Sequence, residues 1–150
     1  MDRERARSLV EGARVAHLAT VRTDGRAHLV PVTFAVTGRL ERLVTAVDWK
    51  PKRGGELARV ANVRRTGTAT VLVDHYDDAD WSALWWVRLA GPARVVDPGT
   101  DTHARAIAAL VARYAQYAAR PPEGPAIEVV IAEWRGWSAV DPPDDRHAPP

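Results

Sequence analysis

The segment 48–64, DWKPKRGGELARVANVR, constrains the fold more than any other part of the sequence. A strand-like run at 43–47 leads into a turn broken by proline and glycine, and a helix-like run at 56–64 leads out of it. The strand-like runs elsewhere follow one another in hairpin-like order, so only the third and fourth strands need a helical crossover. Such an order predicts an antiparallel sheet that closes into a barrel.

Six segments have the alternation and β-branched content of strands. A hairpin should join the first two at Asp24-Gly25, because this dipeptide readily takes the positive φ angles of a type I′ turn. Pro31 lies inside the second strand and cannot donate to a ladder, which predicts an unpaired or bulged point where a ligand can meet backbone groups. The six predicted strands are 14–22, 27–36, 42–48, 68–74, 84–96 and 126–140.

Helices are predicted at 3–11, capped by Asp2, and at 101–119, capped by Thr100. The longer one carries apolar residues at three- and four-residue spacing up to Tyr114 and Tyr117. A chain of 150 residues fits one domain. The predicted fold is mainly β with helices, a six-stranded antiparallel barrel over residues 1–140, followed by a proline-rich tail at 141–150 that is predicted to be disordered.

The basic loop after the third strand is the first candidate site. Lysine occurs in the chain only at Lys50 and Lys52, and Arg53 follows them. A strand-to-helix turn that presents cations and free backbone N–H groups is suited to a phosphate, and Asn62 adds an amide donor. A solvated turn is the alternative. The loop lacks the glycine-rich run ending in Lys-Ser or Lys-Thr of a nucleotide triphosphatase.

Trp85 and Trp86 are the second candidate site. Neighbouring residues of a strand point to opposite faces, so both faces of this strand should be covered. One indole can face the core, and the other then needs a helix, a ligand or another subunit. Because six tryptophans are many for this length, an intersubunit contact competes with a purely structural role.

Other patterns carry weaker signals. His17 and His28 lie on paired strands and could meet across the hairpin, but the five histidines show no metal-site spacing, so no metal site is predicted. Asp77, Asp78 and Asp80 lack the glycine and terminal glutamate of a calcium loop. The chain has no cysteine, no signal peptide and no membrane-length apolar run, which indicates a cytoplasmic location and no membrane contact. No nucleophilic elbow is present, and no catalytic residue is assigned.

In order and spacing, three segments resemble the split β-barrel superfamily of flavin- and deazaflavin-binding proteins, the pyridoxamine 5′-phosphate oxidase-like proteins. More narrowly, the chain is similar to the short coenzyme F420-dependent oxidoreductases. The segments are HLATVRTDGRAHLVPVTFAV at 17–36, VDWKPKR followed by LARVANVR within 47–64, and VLVDHYDDADWSALWWVRLAGPARV at 71–95.

The resemblance implies a homodimer with two cofactor sites at its interface, and an FMN-binding-protein-like fold. The cofactor phosphate would lie at Lys50, Lys52 and Arg53, beside Asn62; Arg59 and Arg64 are alternative contacts. The ring system would lie along strands two and three, and Trp85 or Trp86 would close the pocket, from either subunit. The implied ring contacts are Val32, Thr33, Thr45, Ala46 and Val47.

The leading functional hypothesis is hydride transfer between coenzyme F420 and a small unsaturated or aromatic substrate. The proton donor is left open between His28, Tyr76 and solvent. An FMN-dependent oxidase or reductase of the same fold is the second hypothesis. A non-catalytic cofactor- or haem-binding protein, with His17, His28 or His75 as axial ligand, is the third. Nucleic-acid binding is disfavoured by a formal net charge of only +2.

Overall fold

The computed structural model describes residues 1–49 and 55–140; the predicted tail at 141–150 lies outside them. The described residues form an antiparallel sheet of eight strands with four helices, which confirms the mainly β class with helices. The strands are β1 (Ala16–Val21), β2 (Ala27–Val32), β3 (Ala35–Thr37), β4 (Arg42–Ala46), β5 (Thr68–His75), β6 (Trp85–Val96), β7 (Ala126–Val130) and β8 (Glu133–Ser138). The helices are α1 (Arg3–Gly12), α2 (Ala58–Thr66), α3 (Asp101–Arg113) and α4 (Ala115–Ala119), and a 3₁₀ turn spans Trp81–Ala83.

The prediction of six strands was wrong because two of the predicted strands are each divided. The segment 27–36 is interrupted at Thr33 and Phe34, between β2 and β3. The segment 126–140 is interrupted after β7, where the Ala132 N–H donates to the Ala90 carbonyl at 3.0 Å. This crossing passes so close to Gly91 that a Cβ there would collide with backbone atoms, so glycine permits the change of neighbour along β6.

The strands pair in the order β2-β1-β5-β6-β7-β4-β3, with β8 also paired to β6. β2 and β3 stand at the two ends of this order, yet only Thr33 and Phe34 connect them. The sheet must therefore curl until its two ends approach each other. Its enclosed side holds the main core, in which Leu18, Phe34 and Leu89 are fully buried.

α1 and α3 begin where the sequence predicts, whereas the helix predicted from residue 56 begins at Ala58. Asp2 and Thr100 accept hydrogen bonds from the N–H groups of Arg5 and His103, which confirms both predicted caps. The single helix predicted at 101–119 was wrong, because Tyr114 has an extended backbone with φ −123° and ψ 119°. α3 packs on β3, β4 and β7. In the described ranges, none of the helices has the length and apolar character needed to span a bilayer.

The first hairpin differs from its predicted turn type. Gly25 has φ 80°, but Asp24 does not have the positive φ that a type I′ turn requires. Instead, the Asp24 carboxylate accepts hydrogen bonds from the Arg26 N–H at 3.1 Å and from the Arg26 guanidinium at 2.8 Å. The Arg22 N–H donates to the Arg26 carbonyl at 2.9 Å and begins the β1–β2 ladder. The predicted location of the hairpin was right and its type I′ geometry was wrong.

Pro31 bears out one of the two predicted alternatives, a strand left unpaired on one side, and not the other, a bulge. It lies opposite His17 in the continuous β1–β2 register, so no bulge forms at the proline. β2 stands at the end of the pairing order, where a residue without an N–H is tolerated because one edge has no strand to bond.

Candidate functional site

A small cavity of about 140 Å³ lies where the end of β2 diverges from the end of β4, and we call it the seam pocket. Strand backbone forms two of its walls, and side chains from α2 and α4 form the rest. Its lining residues are Pro31, Val32, Thr33, Thr45, Ala46, Asp48, Arg59 and Tyr117.

The pocket exists because the β3–β4 ladder stops early. Its last pair is Ala35 and Val44, and in the same register Thr33 would lie opposite Ala46. Both of these residues line the pocket instead of bonding to each other as a ladder pair. Past Val44 the two segments, 33–34 and 45–46, separate, and the space between them is the seam pocket.

The backbone direction of β4 decides which groups face this space. The Val47 N–H donates to the Pro125 carbonyl at 2.9 Å, and the Val47 carbonyl accepts from the Gly124 N–H at 3.2 Å. Adjacent residues of a strand direct their N–H and C=O groups to opposite edges. The Ala46 N–H and C=O therefore face the seam pocket, whereas the backbone of Val47 faces away from it.

Arg59 supplies the cationic group of the pocket. Its guanidinium is about half buried, and this burial lowers its pKa, while Asp48 and Tyr117 act in the opposite direction. A guanidinium stays protonated under these conditions. The pocket therefore holds a partly desolvated guanidinium beside the Asp48 carboxylate, and the guanidinium can donate to the carbonyl oxygens of a ligand.

Hydroxyl and aromatic groups complete the described walls. The hydroxyls of Thr33 and Tyr117 are 2.7 Å apart and share a hydrogen bond. The indole of Trp49 meets the Tyr117 ring edge-to-face at 5.7 Å between centroids. The Arg120 guanidinium lies 5.0 Å from the centroid of the Trp49 ring. Tyr117 therefore lines the pocket itself, and Trp49 and Arg120 pack behind it.

The structure brings together four of the residues that the resemblance assigned to the ring: Val32, Thr33, Thr45 and Ala46. Val47 lies next to them but is 2% exposed, with its backbone turned away. The predicted phosphate contacts Lys50, Lys52 and Arg53 lie outside the described residues. The binding role of all these residues stays a prediction.

Asn62 and Arg64, two of the residues expected near the cofactor phosphate, bond to side chains of the protein. The Asn62 amide is buried and donates to the Thr20 hydroxyl at 3.1 Å, so it links α2 to β1. The Arg64 guanidinium pairs with Glu56 at 2.9 Å and Asp97 at 2.5 Å. The hydrogen bonds that the Arg64 guanidinium donates to Asp97 first, and then to Glu56, raise the pKa of Arg64. Among the helix arginines considered from the sequence, Arg59 is the one that lines the pocket.

Trp85 and Trp86 lie on β6, away from the residues that line the seam pocket. Trp85 packs against the core and stacks on His75, with 6.4 Å between ring centroids and 25° between planes. Trp86 lies between Asp74 and Trp137 in the sheet register. The two indoles thus occupy opposite faces, as predicted from their adjacency. Closure of the pocket by Trp86 would require a second copy of the chain.

The histidines do not meet as the sequence suggested. His28 lies opposite Thr20, and His17 lies opposite Pro31, which places the two imidazoles on opposite faces of the hairpin. His17 instead approaches Asp74, with 3.3 Å between Nδ1 and the carboxylate. Within residues 1–49 and 55–140, no group of three His, Cys, Asp or Glu side chains is arranged to hold a metal ion.

Sequence reasoning missed Asp48 and Tyr117 as pocket residues. Tyr117 was assigned to the apolar stripe of a long helix, since its spacing from Tyr114 fits a buried helix face. Both tyrosines are indeed 6% exposed. Their hydroxyl groups, however, reach polar atoms near the seam, and nothing in the local pattern distinguishes this use from simple burial.

The family model for pyridoxamine 5′-phosphate oxidase matches residues 3–138. The chain belongs to this family. No curated protein sequence matches it significantly.

Solved structures of other proteins share the fold of this family member. A conserved hypothetical protein, Rv2991 from Mycobacterium tuberculosis, is 19% identical with a TM-score of 0.74, over 93% of this chain and 86% of that one. A heme binding protein from Mycobacterium smegmatis is 21% identical with a TM-score of 0.65, over 91% of this chain and 57% of that one. An FAD binding protein from Mycobacterium smegmatis is 16% identical with a TM-score of 0.56, over 91% and 94%. At these identities the likeness establishes the fold alone.

Proposed function

We propose that the seam pocket binds the flat ring system of a flavin-type cofactor, and that the protein is an oxidoreductase dependent on coenzyme F420. One observation carries the proposal. Val32, Thr33, Thr45 and Ala46, which the family resemblance assigns to the ring, line one pocket together with a half-buried arginine. Family membership and the FAD binding neighbour support a flavin-type ligand.

The described walls fit one edge of such a ring. The ring edge of a flavin or deazaflavin carries carbonyl oxygens and an N–H group, and it can pair with Arg59, the Ala46 backbone and the hydroxyls of Thr33 and Tyr117. The cavity of about 140 Å³ is smaller than the ~300–1,000 Å³ typical of ligand sites. The described residues of one chain therefore form part of a site.

A homodimer would supply the remainder. The outer face of the sheet, opposite the core, carries exposed apolar side chains on β2, β5 and β8, namely Leu29 at 62%, Leu72 at 36% and Trp137 at 45% exposure. Trp86 and Trp137 are directly opposed on this face, and Arg88 and Arg135 are paired next to Leu72. Exposed apolar side chains on this face, and a pocket that the described residues of one chain leave incomplete, both fit association with a second copy. We propose that the two copies pack through this face.

In the proposed reaction, bound F420 supplies the hydride chemistry and a small unsaturated or aromatic molecule is the substrate. Arg59 would stabilise negative charge at the carbonyl edge of the ring, because its guanidinium is partly withdrawn from water. The shared hydrogen bond of Thr33 and Tyr117 would hold that edge in register. Lys50, Lys52 and Arg53 remain the proposed phosphate contacts.

FMN is the alternative cofactor, since it offers the same phosphate and a similar flat ring. The deciding experiment is an equilibrium titration of the full chain with F420 and, separately, with FMN, followed by cofactor fluorescence and tryptophan quenching. Tight binding of F420 supports the deazaflavin assignment, and preference for FMN makes the protein a flavoenzyme. Binding of neither one contradicts the proposal.

Two variants locate the site in this titration. Arg59→Gln should weaken binding, because it removes the half-buried charge from the pocket. Arg64→Gln is the matched control, since it lies on the same helix and is held by Glu56 and Asp97. Lys50→Ala/Lys52→Ala should weaken binding of the phosphate-bearing cofactor. Equal affinity of the Arg59 variant and the wild type would place the ligand elsewhere.

Haem binding is the second candidate function, and one groove favours it. A space of about 540 Å³ has an imidazole at its wall and is lined both by apolar side chains and by Ser8, Arg14 and Asp74; the apolar residues are Leu9, Ala13, Val15 and Trp85. The heme binding protein from Mycobacterium smegmatis has the same fold. Titration with haem should then give a Soret band that changes in His75→Ala, with His28→Ala as the control. A band that is the same in all three proteins would exclude His75 as ligand.

A further inference from the structure

The β1–β2 ladder has a gap next to the seam pocket, and a tyrosine hydroxyl fills it. The last ladder pair is Ala16 and Val32, and the same register places Arg14 opposite Phe34. At the other end of the ladder, the Arg22 N–H bonds the Arg26 carbonyl, so every second pair from there is of the hydrogen-bonding kind. Arg14 and Phe34 would be the next such pair.

The Tyr114 hydroxyl stands between these two residues. The Phe34 N–H donates to the Tyr114 oxygen at 3.0 Å. The same oxygen lies 2.9 Å from the Arg14 carbonyl and 2.9 Å from the Phe34 carbonyl, and its single proton can be donated to one of them at a time. The hydroxyl therefore takes the place of the direct backbone bond.

Surrounding contacts fix the Tyr114 ring in this position. The ring is 6% exposed and packs in the cluster under α3. The Arg14 guanidinium covers it at 4.6 Å from its centroid. The extended backbone at Tyr114 separates α3 from α4, so the residue belongs to neither helix. A side chain held this firmly can keep two backbone segments apart.

The separation of Phe34 from Arg14 affects the seam pocket, because Phe34 directly follows Thr33 in the chain. The chain must leave β1 at this point in order to join β4 at Ala35. We infer that Tyr114 is a positioning residue: its hydroxyl holds Phe34 away from Arg14 and so sets the distance between Thr33 and Ala46 across the seam pocket. As a statement about cofactor affinity, this inference rests on the proposed function.

The test compares the wild type with Tyr114→Phe. Without the hydroxyl, the Phe34 N–H can bond the Arg14 carbonyl directly, which draws Thr33 towards β1 and away from Ala46. A cross-strand NOE between the amide protons of Arg14 and Phe34 should be absent in the wild type and present in the variant. The amide chemical shifts of Thr33 and Ala46 should change with it. Unchanged shifts at both residues would overturn the inference.

Cofactor affinity is the second readout. If the seam pocket binds F420 or FMN, Tyr114→Phe should weaken it about tenfold, since ring contacts depend on the placement of Thr33. Tyr76→Phe controls for loss of a hydroxyl, because Tyr76 is 61% exposed and bonds only Asp78 among the described residues. Gly25→Ala controls for general destabilisation at the far end of the same ladder. Equal weakening in Gly25→Ala would show that Tyr114 acts only through stability.

The two readouts separate the two ideas. A wild type that binds neither cofactor contradicts the proposed function, while the NOE and the shifts still decide the role of Tyr114. A wild type that binds, together with a Tyr114→Phe variant of equal affinity and unchanged shifts, contradicts the positioning role alone.

Discussion

The β1–β2 ladder is closed by a local turn at one end and by a distant side chain at the other. At the turn end, Arg22 to Arg26, backbone bonds and the Asp24 carboxylate join residues that are near neighbours in the chain. At the pocket end, Tyr114 bridges Phe34 and Arg14, which are 80 and 100 residues away from it. A closure made by its own segment keeps the strands paired, whereas the Tyr114 hydroxyl holds Phe34 and Arg14 apart and takes the place of their direct backbone bond.

Among variants at the two ends of the ladder, Tyr114→Ala should reduce the stability of the protein most. The substitution removes a buried ring together with the hydroxyl that accepts from the Phe34 N–H at the pocket end. We expect the free energy of unfolding to fall by about 3–5 kcal/mol, measured by urea denaturation. A fall below about 1 kcal/mol would show that the pocket end does not depend on this side chain.

Gly25→Ala should have a smaller effect at the turn end. Gly25 has φ 80° and open space around its Cα, so an added methyl group meets no atom and only the backbone conformation is strained. This strain should lower the free energy of unfolding by about 1–2 kcal/mol. Gly12→Ala is the control, since its Cβ also meets no atom and its φ is not positive. Equal losses in both variants would contradict the assigned cause.

Thr33→Val tests the hydrogen bond of Tyr117, the second tyrosine at the pocket end. It removes the hydroxyl that shares a hydrogen bond with Tyr117, at a cost of about 1 kcal/mol. The double variant with Tyr117→Phe should cost less than the sum of the two single variants, because both remove the same bond. Additive losses in this double-mutant cycle would mean that the two hydroxyls act independently.

The smallest expected effect is the pH response of the turn end. The hydrogen bond from Arg26 lowers the pKa of Asp24 below its ordinary value of 3.8. The unfolded chain therefore takes up the proton first as the pH falls. The stabilisation is complete above about pH 5 and is lost as the pH drops through the lowered pKa.

Asp24→Asn should remove this response. Its melting temperature should lie below that of the wild type near pH 6, and the gap should close as the pH falls through the lowered pKa of Asp24. The backbone groups that close the pocket end do not titrate, so Tyr114→Phe should keep a constant gap over the same range. A gap for Asp24→Asn that is independent of pH would contradict the ion-pair contribution.

Most of the strands could be predicted from the sequence, because burial alternates along them with the period of a sheet. The caps at Asp2 and Thr100 were also predictable, since each depends on a residue three positions further on. The division of the second strand was not. Val32, Thr33 and Phe34 read as continuous strand, and only the switch of partner from β1 to β4 interrupts them.

The sequence by itself therefore determined most strand positions along the chain, the first and third helix starts and the place of the hairpin, while the ring contacts stay a prediction from the family resemblance. Only the tertiary structure decided that Arg59 is the arginine lining the seam pocket, that Tyr117 shares its wall with Thr33, and that the Tyr114 hydroxyl stands between Phe34 and Arg14. The physical reason is how far apart the interacting residues lie along the chain. Periodicity, capping and turn chemistry act within a few residues, whereas these contacts join segments that meet only after the sheet has curled.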